Sequence, residues 1–278
     1  MERIDLNDWN ETGAGAFGKS YFHKTDPHRM MKLLNPGISS DVMEAEMNVS
    51  KNVYNLGIPC PQPGYMVTDG ERIGVVFERL IGKKSYARML GDNPQDVVML
   101  AKEYAELVKE LHKTPCDTSK FISAKEMYRI RIETNPFRSE KMKAKALEML
   151  EAVPDAATCI HGDLHFGNMV KAEGKRYFID LGDFSYGYPL MDLGMFPLLI
   201  KFGYLARERF FDEYHCDVEI AEEFFNIFLK EYFGQDTDIE RKNEELMPYL
   251  GLRMISVETV LEKATPSVLN YLFDEIFG

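Results

Sequence analysis

The chain has 278 residues, of which 45% are hydrophobic and 28% charged, a composition that builds a folded core and excludes a disordered or fibrous protein. Thirty-three basic against forty-five acidic side chains leave a net charge of −12, which argues against a general binder of the nucleic-acid backbone. No apolar run approaches the roughly 18 residues a membrane span requires, and the first five residues, Met1 to Asp5, lack the apolar stretch of a secretory leader, so no membrane association is expected. Cys60, Cys116, Cys159 and Cys216 have no C-x-x-C spacing and are expected as reduced, mostly buried thiols of a cytoplasmic protein.

From the N-terminus, residues 10–34 carry Gly13, Gly15 and Gly18 followed by short mixed runs, which predicts a hairpin and strands. Val42, Ala45, Val49, Val53 and Leu56 recur at helical spacing, and Gly57 with Pro59 marks the end of that helix. Residues 64–67 and 73–77 read as two strands joined by the Thr68-Asp69-Gly70 turn. After Gly82 the pattern turns helical. Asn93-Pro94 opens a helix whose apolar stripe runs from Val97 through Tyr104 to Leu111, and residues 142–150 predict a second. Short strands are expected at 158–160 and 176–179 around a polar loop, and helices from Phe196 onward. The chain therefore divides into a sheet-rich lobe over residues 1–82 and a mainly helical lobe over 83–278.

The polar loop reads His161-Gly162-Asp163-Leu164-His165-Phe166-Gly167-Asn168, followed by Ile179-Asp180-Leu181-Gly182. H-x-D-L-x-x-x-N with a downstream D-x-G has the order and spacing of the protein-kinase catalytic loop and metal-binding turn. With Gly162 in place of Arg, it resembles the aminoglycoside phosphotransferase and choline kinase group of small-molecule kinases. Val108 to His112 resembles that family's L-x-x-L-H helix end, and Tyr188 to Leu193 its D-P-x-x-D-L-A segment, departing at Val108, Tyr188 and Gly194. The resemblance implies an α+β, bilobal protein-kinase-like fold with a small antiparallel-sheet lobe for nucleotide and a larger helical lobe for catalysis and acceptor. It also implies a phosphotransferase that uses ATP, or GTP as the alternative donor, with Mg²⁺.

Phosphoryl transfer requires in-line positioning and neutralised phosphate charge more than covalent work. Asp163 is the candidate to take the proton of the attacking hydroxyl. Asn168 and Asp180 offer the oxygen ligands that Mg²⁺ prefers. The resemblance makes His161 structural and gives Asp192 hydrogen bonds from the loop backbone. Two other readings compete: a metallohydrolase using His161, Asp163 and His165, and a silent nucleotide-binding module of the same fold.

Gly13-Ala14-Gly15-Ala16-Phe17-Gly18 matches a dinucleotide fingerprint as well as a kinase glycine loop. A strand-like Ser20-Tyr21-Phe22-His23 follows it where a dinucleotide fold needs a helix, which favours a hairpin over the phosphates of ATP. Lys32, inside an apolar run, resembles the lysine that meets the α- and β-phosphates. Glu44 and Glu46 both qualify as its partner, and Glu46 is preferred because it borders the apolar face of its helix. Phe77 to Leu80 resembles the hinge, which nominates Glu78 and Leu80 for the adenine side of the cofactor site.

No A-P-E sequence and no long segment between Asp180 and Asp192 suggest a protein substrate, so a small hydroxyl compound is expected: an amino sugar, an amino alcohol such as choline, or a related metabolite. Residues 205–246 hold thirteen acidic and five basic side chains, which would favour a cationic acceptor if they face the site. Oligomeric state is not legible.

Overall fold

The computed structural model describes residues 1–14, 18–260 and 264–278. The chain opens with β1 (Glu2–Arg3), β2 (Trp9–Ala14), β3 (Gly18–His23), β4 (Arg29–Leu34), α1 (Ser40–Asn55), β5 (Pro63–Thr68), β6 (Ile73–Glu78) and β7 (Lys84–Ser85). β5 and β6 are rich in β-branched and aromatic residues, and β2, β3, β4, β6 and β5 join side by side in antiparallel register, with β1 adding parallel to β5. Asp69 sets the turn between β5 and β6: its Oδ1 accepts from the backbone N–H groups of Glu71 and Arg72. The helix α1 begins where Ser39 caps the N–H of Asp41, and Gly57, at φ +79°, lets the chain leave it. One face of the sheet buries Trp9, Tyr21, Met31, Leu33, Val67 and Val76, and the other packs Leu34 and Val75 against Met43 and Met47 of α1.

Next come α2 (Tyr86–Asp92), α3 (Val97–Lys113), α4 (Ala124–Glu133), α5 (Glu140–Ala152) and β8 (Thr158–Ile160). The chain then forms a hairpin, β9 (Met169–Ala172) and β10 (Lys175–Phe178), and continues through β11 (Ser185–Gly187), α6 (Leu190–Leu193), α7 (Met195–Leu205), α8 (Arg207–Tyr214), α9 (Val218–Phe233), α10 (Ile239–Val260) and α11 (Ser267–Phe277). The stripe of α3 packs Tyr104 edge-on against Phe196 of α7 and against Phe224 and Phe228 of α9, a fully buried aromatic cluster. A second core joins α4, α5, α10 and α11 around Tyr128, Leu150, Leu250, Ile255 and Phe273.

Two compact units result. The first comprises residues Met1–Lys84 and Met169–Gly182, the second Ser85–Asn168 and Asp183–Gly278. A division at residue 82 therefore needs one correction. The β9–β10 hairpin interrupts the second unit in sequence but belongs to the first, because Val170 and Ala172 bury with Leu80 in one small cluster. All four cysteines are buried free thiols. Among the described residues no helix is long and apolar enough to cross a membrane.

Candidate active site

In the second unit, β8 ends at Ile160 and the polar loop begins. The buried carboxylate of Asp192, on α6, accepts from the backbone N–H groups of His161 at 2.7 Å and Gly162 at 2.6 Å. His112 lies 3.0 Å from the same carboxylate through Nε2 and 2.7 Å from the Tyr232 hydroxyl through Nδ1. Gly162 is at φ +81°, and a Cβ there would lie 2.1 Å from the carbonyl oxygen of Asp183. Only glycine can hold this position. His161 is fully buried, and its Nδ1 accepts from the N–H of Asp163.

This locked backbone presents Asp163. Its Oδ1 accepts from Arg253 Nη2 at 2.5 Å, and its Oδ2 accepts from Asn168 Nδ2 at 3.0 Å. His165 Nε2 stands 4.0 Å from that Oδ2. Burial would raise the Asp163 carboxyl, but the charge of Arg253, followed by His165 and His161, outweighs it and lowers the carboxyl to about 2. Asp163 is thus an ionised carboxylate at neutral pH. Asn168 Nδ2 also donates to the Asp163 carbonyl, so the amide nitrogen is spent within the loop and the amide oxygen is the atom that could ligate a cation.

Arg253 itself is buried and also binds Asp183, whose carboxylate takes two bonds from Arg131. Sequence reasoning missed this Arg131–Asp183–Arg253–Asp163 chain. One signal was available: Arg253 is a lone cation inside the apolar run Leu250-Gly251-Leu252-Arg253-Met254-Ile255, the same anomaly that singles out Lys32.

In the first unit, Lys32 Nζ meets both carboxylate oxygens of Glu46, at 2.9 and 3.0 Å, while Glu44 is exposed. The two side chains are 34% and 24% exposed, so the pair adds at most about 1 kcal/mol to stability and its importance is positional. Lys32, Glu46 and Asp180 line one cavity of about 270 Å³ together with Ser20, Phe77 and Lys83. Asp180 sits in the left-handed region at φ +56°, a conformation costly for a non-glycine residue. Gly18 must be small, since a Cβ would lie 2.5 Å from the Leu33 carbonyl; Gly13 faces open space, and Gly15 lies outside the described residues. Glu78 is exposed at the end of β6 and accepts from the Gln62 N–H, whereas Leu80 is buried. The cavity's chemistry fits a nucleotide, with two ammonium groups for phosphates, a carboxylate for a divalent cation and an aromatic wall for a base.

The metallohydrolase trio does not assemble. His161 and His165 each spend Nδ1 on a backbone N–H, and among the described residues no group of three or more His, Cys, Asp or Glu is placed to hold a metal. Of the aromatic residues on α7 and α8, Phe196 and Phe210 are core and Tyr204 and Phe211 are exposed. Phe202 and Tyr214 do line a cavity of about 190 Å³, with Leu198, Met254, Arg209 and Glu213. Tyr214 packs edge-on against His165, which places this cavity beside the catalytic loop.

The sheet unit and the helical unit, with an H-x-D-L-x-x-x-N loop locked by a buried carboxylate, define a protein-kinase-like phosphotransferase. The sequence pattern of the phosphotransferase enzyme family (APH) matches residues 11–224, and the chain belongs to that family as a small-molecule kinase. No curated protein sequence matches it. Among solved structures it is similar to the amicoumacin kinase hAmiN in complex with AMP-PNP, Ca²⁺ and Ami, with a TM-score of 0.64 and 18% identity over 99% of this chain and 90% of that one. It is also similar to a thermostable mutant of aminoglycoside phosphotransferase APH(4)-Ia, at 0.63 and 13% over 97% and 94%. A choline/ethanolamine kinase family protein from Mesorhizobium loti gives 0.55 and 11% over 97% and 85%.

Proposed function

We propose that the protein transfers the γ-phosphoryl group of ATP, or GTP, to a hydroxyl of a small molecule with Mg²⁺. The observation that carries this reading is Asp163, an ionised carboxylate on a locked loop, paired at one oxygen with Asn168. The acceptor hydroxyl donates to Asp163. As the new O–P bond forms and the bond from the γ-phosphorus to the ADP oxygen breaks, the hydroxyl proton passes to the carboxylate. Lys32, held by Glu46, and the glycine-rich segment with Gly13, Gly15 and Gly18 orient the phosphates; Glu78 and Leu80 mark the end of the site that receives the base. Asn168 and Asp180 would hold the divalent cation, which supplies neutralisation of phosphate charge when bound. Complexes of hAmiN with AMP-PNP and Ca²⁺, and of a thermostable APH(4)-Ia mutant with AMP-PNP and hygromycin B, support a nucleotide and a divalent cation here.

The acceptor is an amino sugar, an amino alcohol or a related metabolite. The cavity beside His165 supports a small one: its volume is below the roughly 300–1,000 Å³ of drug-sized sites, and Glu213 at its wall suits an amine. Buried free thiols support a reducing, cytoplasmic setting.

Incubation with Mg²⁺-ATP and a metabolite panel, with products resolved by mass, tests the reading. A phosphorylated alcohol formed by wild type and not by Asp163→Asn is expected. AMP-PNP binding without any transfer would instead support the silent module, a reading that the combined presence of Lys32, Asp163, Asn168 and Asp180 disfavours.

A further inference from the structure

We propose that Arg253 is a positioning residue for phosphoryl transfer: anchored by Asp183, its guanidinium holds Asp163 by Oδ1 so that Oδ2, which also accepts from Asn168 Nδ2, is the oxygen presented to the acceptor hydroxyl. The inference rests on the kinase reading of Asp163, and it concerns a residue on α10, ninety positions from the loop it serves.

The geometry carries it in three steps. A carboxylate has two nearly equivalent oxygens and can rotate about χ2, so a base presented on a loop needs a second group to choose its orientation. Arg253 makes that choice with two donors of one planar fork, Nη2 to Asp163 Oδ1 at 2.5 Å and Nη1 to Asp183 Oδ2 at 3.1 Å. The fork itself is fixed. Arg253 is 4% exposed, and Asp183 is in turn gripped by both terminal nitrogens of Arg131, one of which also reaches Ser256 Oγ one turn along α10. Two cations and two anions alternate, so the buried cluster is balanced in charge. Asp163 is the member of the four with the most exposed side chain, at 31%, against 5% for Arg253, 15% for Arg131 and 19% for Asp183. The cluster therefore ends at the base.

A lysine could not replace this fork, since an ammonium is a point charge that cannot reproduce two fixed, coplanar donors. Asp183 also ties the arrangement to the segment after Asp180-Leu181-Gly182. The carbonyl of Asp183 is the atom that excludes any side chain at Gly162, so its carboxylate and its backbone both act on the catalytic loop.

The test compares wild type with Arg253→Met, Arg253→Lys and the charge-balanced Arg253→Met/Asp183→Asn. Each protein is assayed for Mg²⁺-ATP turnover with water as acceptor and for AMP-PNP affinity by calorimetry, and each is crystallised to locate the Asp163 side chain. The methionine variants should lose on the order of 10²-fold in kcat, with KM for ATP and AMP-PNP affinity nearly unchanged, and with Asp163 rotated from its place. Arg253→Lys should recover only part of kcat. The double variant removes a cation and an anion together, so an unfolded single variant does not end the test. Wild-type kcat in a folded methionine variant, or Asp163 unmoved in its crystal, overturns the proposal. Asp163→Asn is assayed alongside these variants: if it and wild type hydrolyse ATP equally slowly, the base role proposed for Asp163 fails, and the position of the Asp163 side chain still decides the role of Arg253.

Discussion

Buried carboxylates hold the helical unit together through charge, and that makes it sensitive to acid. Burial would raise Glu258, but hydrogen bonds from Arg138, from the Thr265 N–H and from Asn135 outweigh it, and its carboxyl is lowered. Asp183 is lowered likewise, by Arg131 and Arg253 against burial. A carboxyl lowered in the folded state contributes stability above its unfolded value of about 4 and loses it as pH falls through the folded value. Glu258→Gln should therefore be less stable than wild type at pH 7, by about 2–4 kcal/mol, and the gap should close below about pH 4. Urea unfolding at pH 7, 5 and 3 measures this, and a gap independent of pH would assign the loss to packing. For Asp163→Asn, turnover should fall by about 10²–10⁴ while AMP-PNP affinity persists, since the role proposed for the side chain is toward the acceptor and not the nucleotide.

At the scale of elements, the catalytic loop is shaped by backbone contacts. Gly162→Ala should destabilise the protein by at least about 2–3 kcal/mol and abolish transfer, because a Cβ 2.1 Å from the Asp183 carbonyl must move either the loop or the turn. A Gly162→Ala enzyme with normal melting temperature and activity would contradict that packing. In the sheet unit, Lys32→Ala should leave the melting temperature within a few degrees, since the pair is partly exposed, yet weaken turnover. Much of this was legible in sequence. Asp163, Asn168 and Asp180 stood out as candidates because loop chemistry depends on short, fixed spacing. Glu46 over Glu44 followed from helix geometry, and the strands and α1 from periodicity and turn residues. What stayed hidden depends on distant segments meeting: Arg253 on α10, Arg131 on α4 and the docking of the β9–β10 hairpin with Leu80. No local spacing encodes those contacts. The short helices α2 and α4 were also missed, since neither follows a long apolar stripe.

For the whole molecule, the proposed cation site predicts coupling between ligands. Few protein oxygens are offered to Mg²⁺, so the metal alone should stabilise the protein little, and Mg²⁺ with AMP-PNP should raise the melting temperature more than the sum of each. Asp180→Ala should remove most of that joint gain, and Asn168→Ala, which loses only a neutral ligand, should remove less. Thermal shift across the four ligand conditions measures it; strong stabilisation by metal without nucleotide, lost in His165→Ala, would return the metallohydrolase reading.

The return of residues 169–182 to the first unit has a consequence for biosynthesis. The chain leaves that unit after position 84 and re-enters it only at 169, so its sheet and α1 emerge from the ribosome long before the hairpin that completes the packing around Leu80. Vectorial folding cannot finish the N-terminal unit first. It must wait while as much chain again as it already contains is made, holding a partly built cavity that lacks Ile179, Asp180 and Leu181. Nascent chains stalled after residue 84 should thus be protease-sensitive and indifferent to AMP-PNP, and protection should appear only once residue 182 has cleared the exit tunnel.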